Sequence, residues 1–121
     1  MYTIRKEFHC SSAHQLAGLP PDHPCARVHG HNYIIVAKLE TTQLNIIGFV
    51  TDYRKLDKIK RWVDNTMDHK NLNDVFLFNP TAENMAKHIY NLFKPTFPQL
   101  CAIEVSETPK TNCRYTPDYD S

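Results

Sequence analysis

Residues 31–41 narrow the fold more than any other stretch of this chain. Tyr33, Ile35, Ala37 and Leu39 fall on one side, and Asn32, Ile34, Val36 and Lys38 on the other. That period of two belongs to an extended strand. Tyr2, Ile4 and Phe8 alternate with polar residues over 2–10, so a first strand is expected there. A loop marked by Gly18, Pro20, Pro21 and Pro24 separates the two. A turn over 43–48 leads to Phe49, Val50 and Thr51, which are expected to pair back on 31–41 as a hairpin.

Helical spacing follows. A first helix is expected near Asp52, with Thr51 or Asp52 as its cap; Leu56, Ile59, Val63 and Met67 share one face. Lys55, Lys58, Lys60 and Arg61 fall elsewhere and read as a solvated face. Asn79-Pro80-Thr81 signals the start of a second helix with Met85, Ile89, Leu92 and Phe93 as its stripe, ending at Lys94-Pro95. Residues 100–107 and 112–115 read as two more strands. The order ββααββ predicts an α+β fold with a mostly antiparallel four-stranded sheet and both helices on one face. At 121 residues, one domain spanning 1–121 is expected. Such a sheet leaves a face and two edges uncovered, so association is the expectation.

A formal charge of +1 gives no general reason to expect nucleic acid or a membrane as partner. No apolar run approaches the roughly 18–20 residues that span a bilayer. Residues 1–6 lack the apolar segment of a secretory signal, which predicts a reducing, cytoplasmic setting. Cys10, Cys25, Cys101 and Cys113 form no CxxC pair and are expected as free thiols.

The seven histidines decide where the chemistry is sought. His29 and His31 stand two apart at the start of a strand, so both imidazoles face the same way. His14 follows the first strand and is placed to approach from the neighbouring one. Three neutral imidazoles suit Zn²⁺. Cys25, four residues before His29, either closes a structural Cys-His₃ site or stands beside an open one as a thiol. In Asp68-His69 the carboxylate either orients an imidazole for proton exchange or forms an ordinary helix-end pair. Glu107 continues the face of Cys101, Ile103 and Val105, either at an exposed strand end or as an anchor for a ligand's amino groups. His9, His23 and His88 have no partners in the pattern and read as structural or surface residues.

The run Cys25-Ala26-Arg27-Val28-His29-Gly30-His31-Asn32-Tyr33 resembles the family of 6-pyruvoyltetrahydropterin and 6-carboxytetrahydropterin synthases. The likeness extends through nearly the whole chain. Phe8 to Leu16 resembles the segment carrying the family's first zinc histidine, and Gly48-Phe49-Val50-Thr51-Asp52-Tyr53 its Gly-aromatic-Val-x-Asp-aromatic segment. Met67 to Asp74 resembles its Asp-His-x-x-Leu-Asn motif, Pro80 to Asn84 its second-helix start, and Glu107-Thr108 its pterin-anchoring Glu. The resemblance implies a tunnelling fold, in which three subunits close a barrel and two trimers stack into a homohexamer with active sites between subunits.

It further implies zinc on His14, His29 and His31, Cys25 as the thiolate that removes a substrate proton, and Asp68 with His69 as a proton relay. Glu107 would grip the pterin, with Thr81 and Arg27 as further substrate contacts. The short spacing of Cys25 to His29 is similar to the bacterial carboxy synthases of queuosine (7-deazaguanine) biosynthesis; the animal pyruvoyl synthases carry a longer insertion there. A further branch has Glu in place of the Cys. The implied reaction converts 7,8-dihydroneopterin triphosphate to 6-carboxytetrahydropterin, acetaldehyde and triphosphate. The alternatives are formation of 6-pyruvoyltetrahydropterin, or a zinc-stabilised binding module without turnover. Gln15 stands where many members carry Arg, which leaves Arg27, Lys70 and Lys110 as other phosphate partners.

Overall fold

The computed structural model describes residues 1–118. Strand β1 (Tyr2–His14) pairs antiparallel with β2 (His29–Thr41), in unbroken register from Tyr2 opposite Thr41 to His14 opposite His29. Strands β3 (Leu100–Ser106) and β4 (Cys113–Tyr115) extend the sheet, again antiparallel, in the order β1-β2-β3-β4. The α-helices lie between β2 and β3 in sequence and cover one face.

Among the described residues three α-helices fill that layer: α1 (Asp57–Trp62), a single turn α2 (Leu72–Val75) and α3 (Ala82–Phe93). The expected first helix is a composite. A 3₁₀ turn, Tyr53–Leu56, is capped by the Asp52 side chain; α1 follows, and a π turn, Val63–Met67, ends it. Leu56, Ile59, Val63 and Met67 nonetheless share one fully buried face. Thr81 caps α3, its hydroxyl accepting from the Asn84 amide. The buried stripe of α3 is Ala82, Met85, Ala86, Ile89, Tyr90 and Phe93, while Leu92 points outward.

Tyr33, Ile35, Ala37 and Leu39 are completely buried against these helices, as the alternation requires. The expected hairpin is not formed. Residues 49–51 make no strand, because Asn45 folds 45–49 back on itself: its side-chain oxygen accepts from the amides of Ile47, Gly48 and Phe49. The strand that pairs with the free edge of β2 is β3. A bulge between Lys38 and Leu39 also corrects the face assigned to β3. It inserts one residue so that Leu100, not Cys101, joins Ile103 and Val105 in the core.

β1 runs four residues beyond its expected end. At that far end the inward positions change from apolar to His14, His29 and His31, while the pairing continues unbroken.

Candidate metal centre

His14 enters from β1, fully buried, and faces His29 and His31 of β2 across the first rungs of the sheet. The three ring centroids lie 4.6, 4.8 and 5.1 Å apart, and one nitrogen from each ring lies within 4.8 Å of the others. The far side of two rings is fixed. His14 Nδ1 sits 2.8 Å from the Pro80 carbonyl, and His29 Nδ1 sits 2.7 Å from the Arg27 carbonyl. A carbonyl only accepts, so each Nδ1 carries the proton and each Nε2 presents a lone pair.

Those two Nε2 atoms face each other at 3.0 Å. Two lone pairs at that separation repel unless a cation lies between them. The donor set therefore fits a metal ion: imidazoles locked by backbone acceptors, aimed at one point, as metal-binding histidines are. Burial pushes the pKa values of His14 and His31 down, opposed for both by the Glu107 carboxylate. The neutral form so favoured is the ligating one. Tyr33, buried beneath the cluster, brings its hydroxyl to 3.1 Å from His14 Nδ1, and burial raises its own pKa.

Among the described residues the converging donor group is His14, His29 and His31, and Cys25 stands outside it. Its 3₁₀ turn, Pro24–Ala26, is capped by His23, whose Nδ1 accepts from the Cys25 amide. Cys25 instead lines an open groove of about 520 Å³ with Arg27, His29 and His31. All four cysteines are free. Arg27 is exposed at the groove's rim.

Glu107 extends past β3 to within 3.8 Å of His31 Nε2. It borders a second groove with Glu83, Thr111 and Asn112. Asp68 and His69 do meet, at 3.5 Å, just after the π turn. Asp68 is anchored by the Ser11 amide, and His69 adopts a positive φ of 57° while its amide donates to the Ser11 carbonyl. The His69 side chain is 82% exposed and lines a groove with His31 and Lys70 that meets the Cys25 groove only at His31. The Thr81 hydroxyl is engaged in its cap, and Lys110 lies in the exposed turn after β3. His9 lies exposed beside Glu7, and His88 packs on Trp62, Phe76 and Phe78.

Sequence reading had missed Tyr33 as a partner of the site, although it continues the His29–His31 period by one step. The carbonyls of Pro80 and Arg27 carry no signature in residue type. They were not findable.

Comparison with known proteins agrees with this architecture. A family model described as 6-pyruvoyl tetrahydropterin synthase matches residues 3–118. A 6-carboxy-5,6,7,8-tetrahydropterin synthase of Bacillus subtilis is 32% identical over 136 aligned positions, covering 96% of this chain and 86% of the relative. A protein of the same description from Rickettsia bellii is 29% identical, covering 92% and 94%. The solved 6-pyruvoyl tetrahydropterin synthase of Caenorhabditis elegans superposes with a TM-score of 0.84 at 28% identity, covering 97% of this chain and 96% of that one. The antiparallel ββααββ sheet is thus the tunnelling fold, and the chain belongs to the 6-pyruvoyl tetrahydropterin synthase family.

Proposed function

We propose that this protein is a zinc-dependent lyase converting 7,8-dihydroneopterin triphosphate to 6-carboxy-5,6,7,8-tetrahydropterin, acetaldehyde and triphosphate. The observation that carries the reading is a trio of imidazoles whose ring nitrogens lie within 4.8 Å of one another, two of them with lone pairs face to face, beside a free thiol outside that group. Zinc, when bound by His14, His29 and His31, supplies a Lewis acid that stabilises developing negative charge on a substrate oxygen.

The chain's own residues handle protons and orientation. Cys25, as thiolate, takes a proton from the side-chain carbon of the substrate. Asp68 holds the His69 ring by its Nε2 and stabilises the imidazolium as that ring returns a proton. The Glu107 carboxylate accepts hydrogen bonds from the amino and ring N–H groups of the pterin. Arg27, exposed beside Cys25, is placed to meet phosphate. A role for Thr81 is confined to contacts compatible with its capping bond.

His69 and Cys25 line two grooves of one chain that share only His31. That separation favours centres completed across subunits, in a homohexamer of two stacked trimers. Light scattering on active enzyme is then expected to give a multiple of the 14.1 kDa chain; an active monomer contradicts it.

Incubation with dihydroneopterin triphosphate tests the reaction. Acetaldehyde release at one equivalent per triphosphate supports the carboxy synthase. The likeness to the C. elegans protein keeps 6-pyruvoyltetrahydropterin formation as the second reading, and that product without acetaldehyde would establish it. Cys25→Ala is expected to keep full zinc occupancy and lose activity by at least about a hundredfold, the lower end of the usual range for a proton-transfer group. Loss of zinc in that variant would make Cys25 a ligand and remove the thiol from the mechanism.

A further inference from the structure

The segment between His14 and the Cys25 loop is bonded on both sides in a way that no role assigned so far explains. Asn73, on α2, accepts from the Gln15 amide at 2.7 Å and donates to the Gln15 carbonyl at 2.8 Å. Two residues on, Asn79 does the same to Ala17, at 3.0 and 3.2 Å. Two side-chain amides thus stand where a neighbouring strand would, each satisfying both backbone groups of an alternate residue. On the opposite edge, the Leu16 amide donates to the Cys25 carbonyl at 2.9 Å. The Gln15 side chain reaches over the same turn and donates to the Ala26 carbonyl at 2.8 Å.

Both carbonyls of the Cys25–Ala26 pair are therefore tied to a short extended segment that is itself clamped to α2 and to the entry of α3. The residue before that segment is His14, and the residue after Asn79 is Pro80, whose carbonyl fixes His14. One set of bonds connects the thiol-bearing turn to the frame that holds the histidines.

We propose that Gln15, with Asn73 and Asn79, is a positioning device that fixes the Cys25 turn relative to the histidine cluster. Gln15 acts through the turn and touches no substrate. Its amide is spent on the Ala26 carbonyl, so its part in the reaction is geometric. The inference rests on Cys25 being the reactive thiol, and its test has a readout independent of that.

Gln15→Met keeps the length of the side chain and removes the donor; at an exposed position it leaves folding intact. We expect kcat to fall by about ten- to a hundredfold, the cost of misplacing a reacting group by a fraction of an ångström to an ångström. KM should move by less than about threefold, because the interaction lost is one of alignment in the transition state. Zinc content should stay at the wild-type value. The rate at which iodoacetamide alkylates Cys25, followed on its own peptide by mass spectrometry, should change by at least about threefold as the turn loosens. Gln15→Arg restores a donor and should recover both kcat and the alkylation rate. Asn73→Ala should reproduce the Gln15→Met behaviour.

Wild-type kcat and alkylation rate in Gln15→Met overturn the proposal. So does zinc lost in step with activity, or failure of Gln15→Arg to recover either quantity. Full activity in Cys25→Ala would instead sink the thiol reading, while the alkylation rates would still report whether Gln15 holds the turn.

Discussion

Histidines with depressed pKa values occur in two places in this protein, and the two places differ. His14 and His31 lie at the end of the sheet; His88 lies on α3 against Trp62, Phe76 and Phe78, with ring centroids 5.2–6.3 Å away. Desolvation lowers the pKa in both places; His88 is exposed overall, and the partial cover of its ring is the sole cause there. At the sheet end, however, carbonyls fix which nitrogen of His14 and of His29 carries the proton, and the free lone pairs meet. Among the described residues His88 makes only ring contacts. The comparison teaches that a depressed histidine pKa reports desolvation, whereas a metal centre is marked by what holds the opposite nitrogen.

The largest expected effect breaks the comparison at its metal side. His29→Ala removes one of three converging ligands, and zinc measured by plasma mass spectrometry should fall to background in a folded protein. Losing a Lewis acid that contributes several kcal/mol implies a rate at least about a thousandfold lower. His88→Leu should leave zinc content untouched; if it loses metal as His29→Ala does, the distinction drawn here fails.

Tyr33→Phe probes the partners behind the ligands. It removes the hydroxyl 3.1 Å from His14 Nδ1 and leaves the Pro80 carbonyl in place. Zinc affinity, measured by competition with a chelator, should weaken by about tenfold, the lower end for such outer partners. Unchanged affinity would show that Pro80 alone orients the ring.

The smallest effect is the pH dependence contributed by His88. Its folded pKa lies below the unfolded value of about 6.5. The unfolded chain therefore takes up a proton that the native ring resists, and stability declines as pH falls below about 6.5, with no contribution above it. Denaturation midpoints between pH 7 and 5 should fall less steeply in His88→Leu than in the wild type. Equal slopes would mean that His88 is as easily protonated folded as unfolded.

Much of the fold was legible because burial and periodicity are local. Tyr33, Ile35, Ala37 and Leu39 declared their face through spacing alone, and so did Leu56, Ile59, Val63 and Met67. The failures were of another kind. Residues 49–51 looked like a strand, but one Asn45 side chain satisfied the backbone of its own loop and left them unpaired. Cys101 was assigned to the core face by counting in twos, and a single bulge residue shifted the count.

For the site, the sequence by itself determined the donor types and their common face, since His29 and His31 are two apart on a strand and residue identity fixes donor chemistry. The family was legible too, through ordered motifs. Only the tertiary structure decided which nitrogen of His14 and His29 faces inward, because the deciding groups are backbone carbonyls at Arg27 and Pro80, and every residue has one. Only it could place Cys25 outside the group of converging donor atoms and tie the Cys25 turn to Gln15. Those relations depend on distances between segments, and chain spacing records distance only within one element.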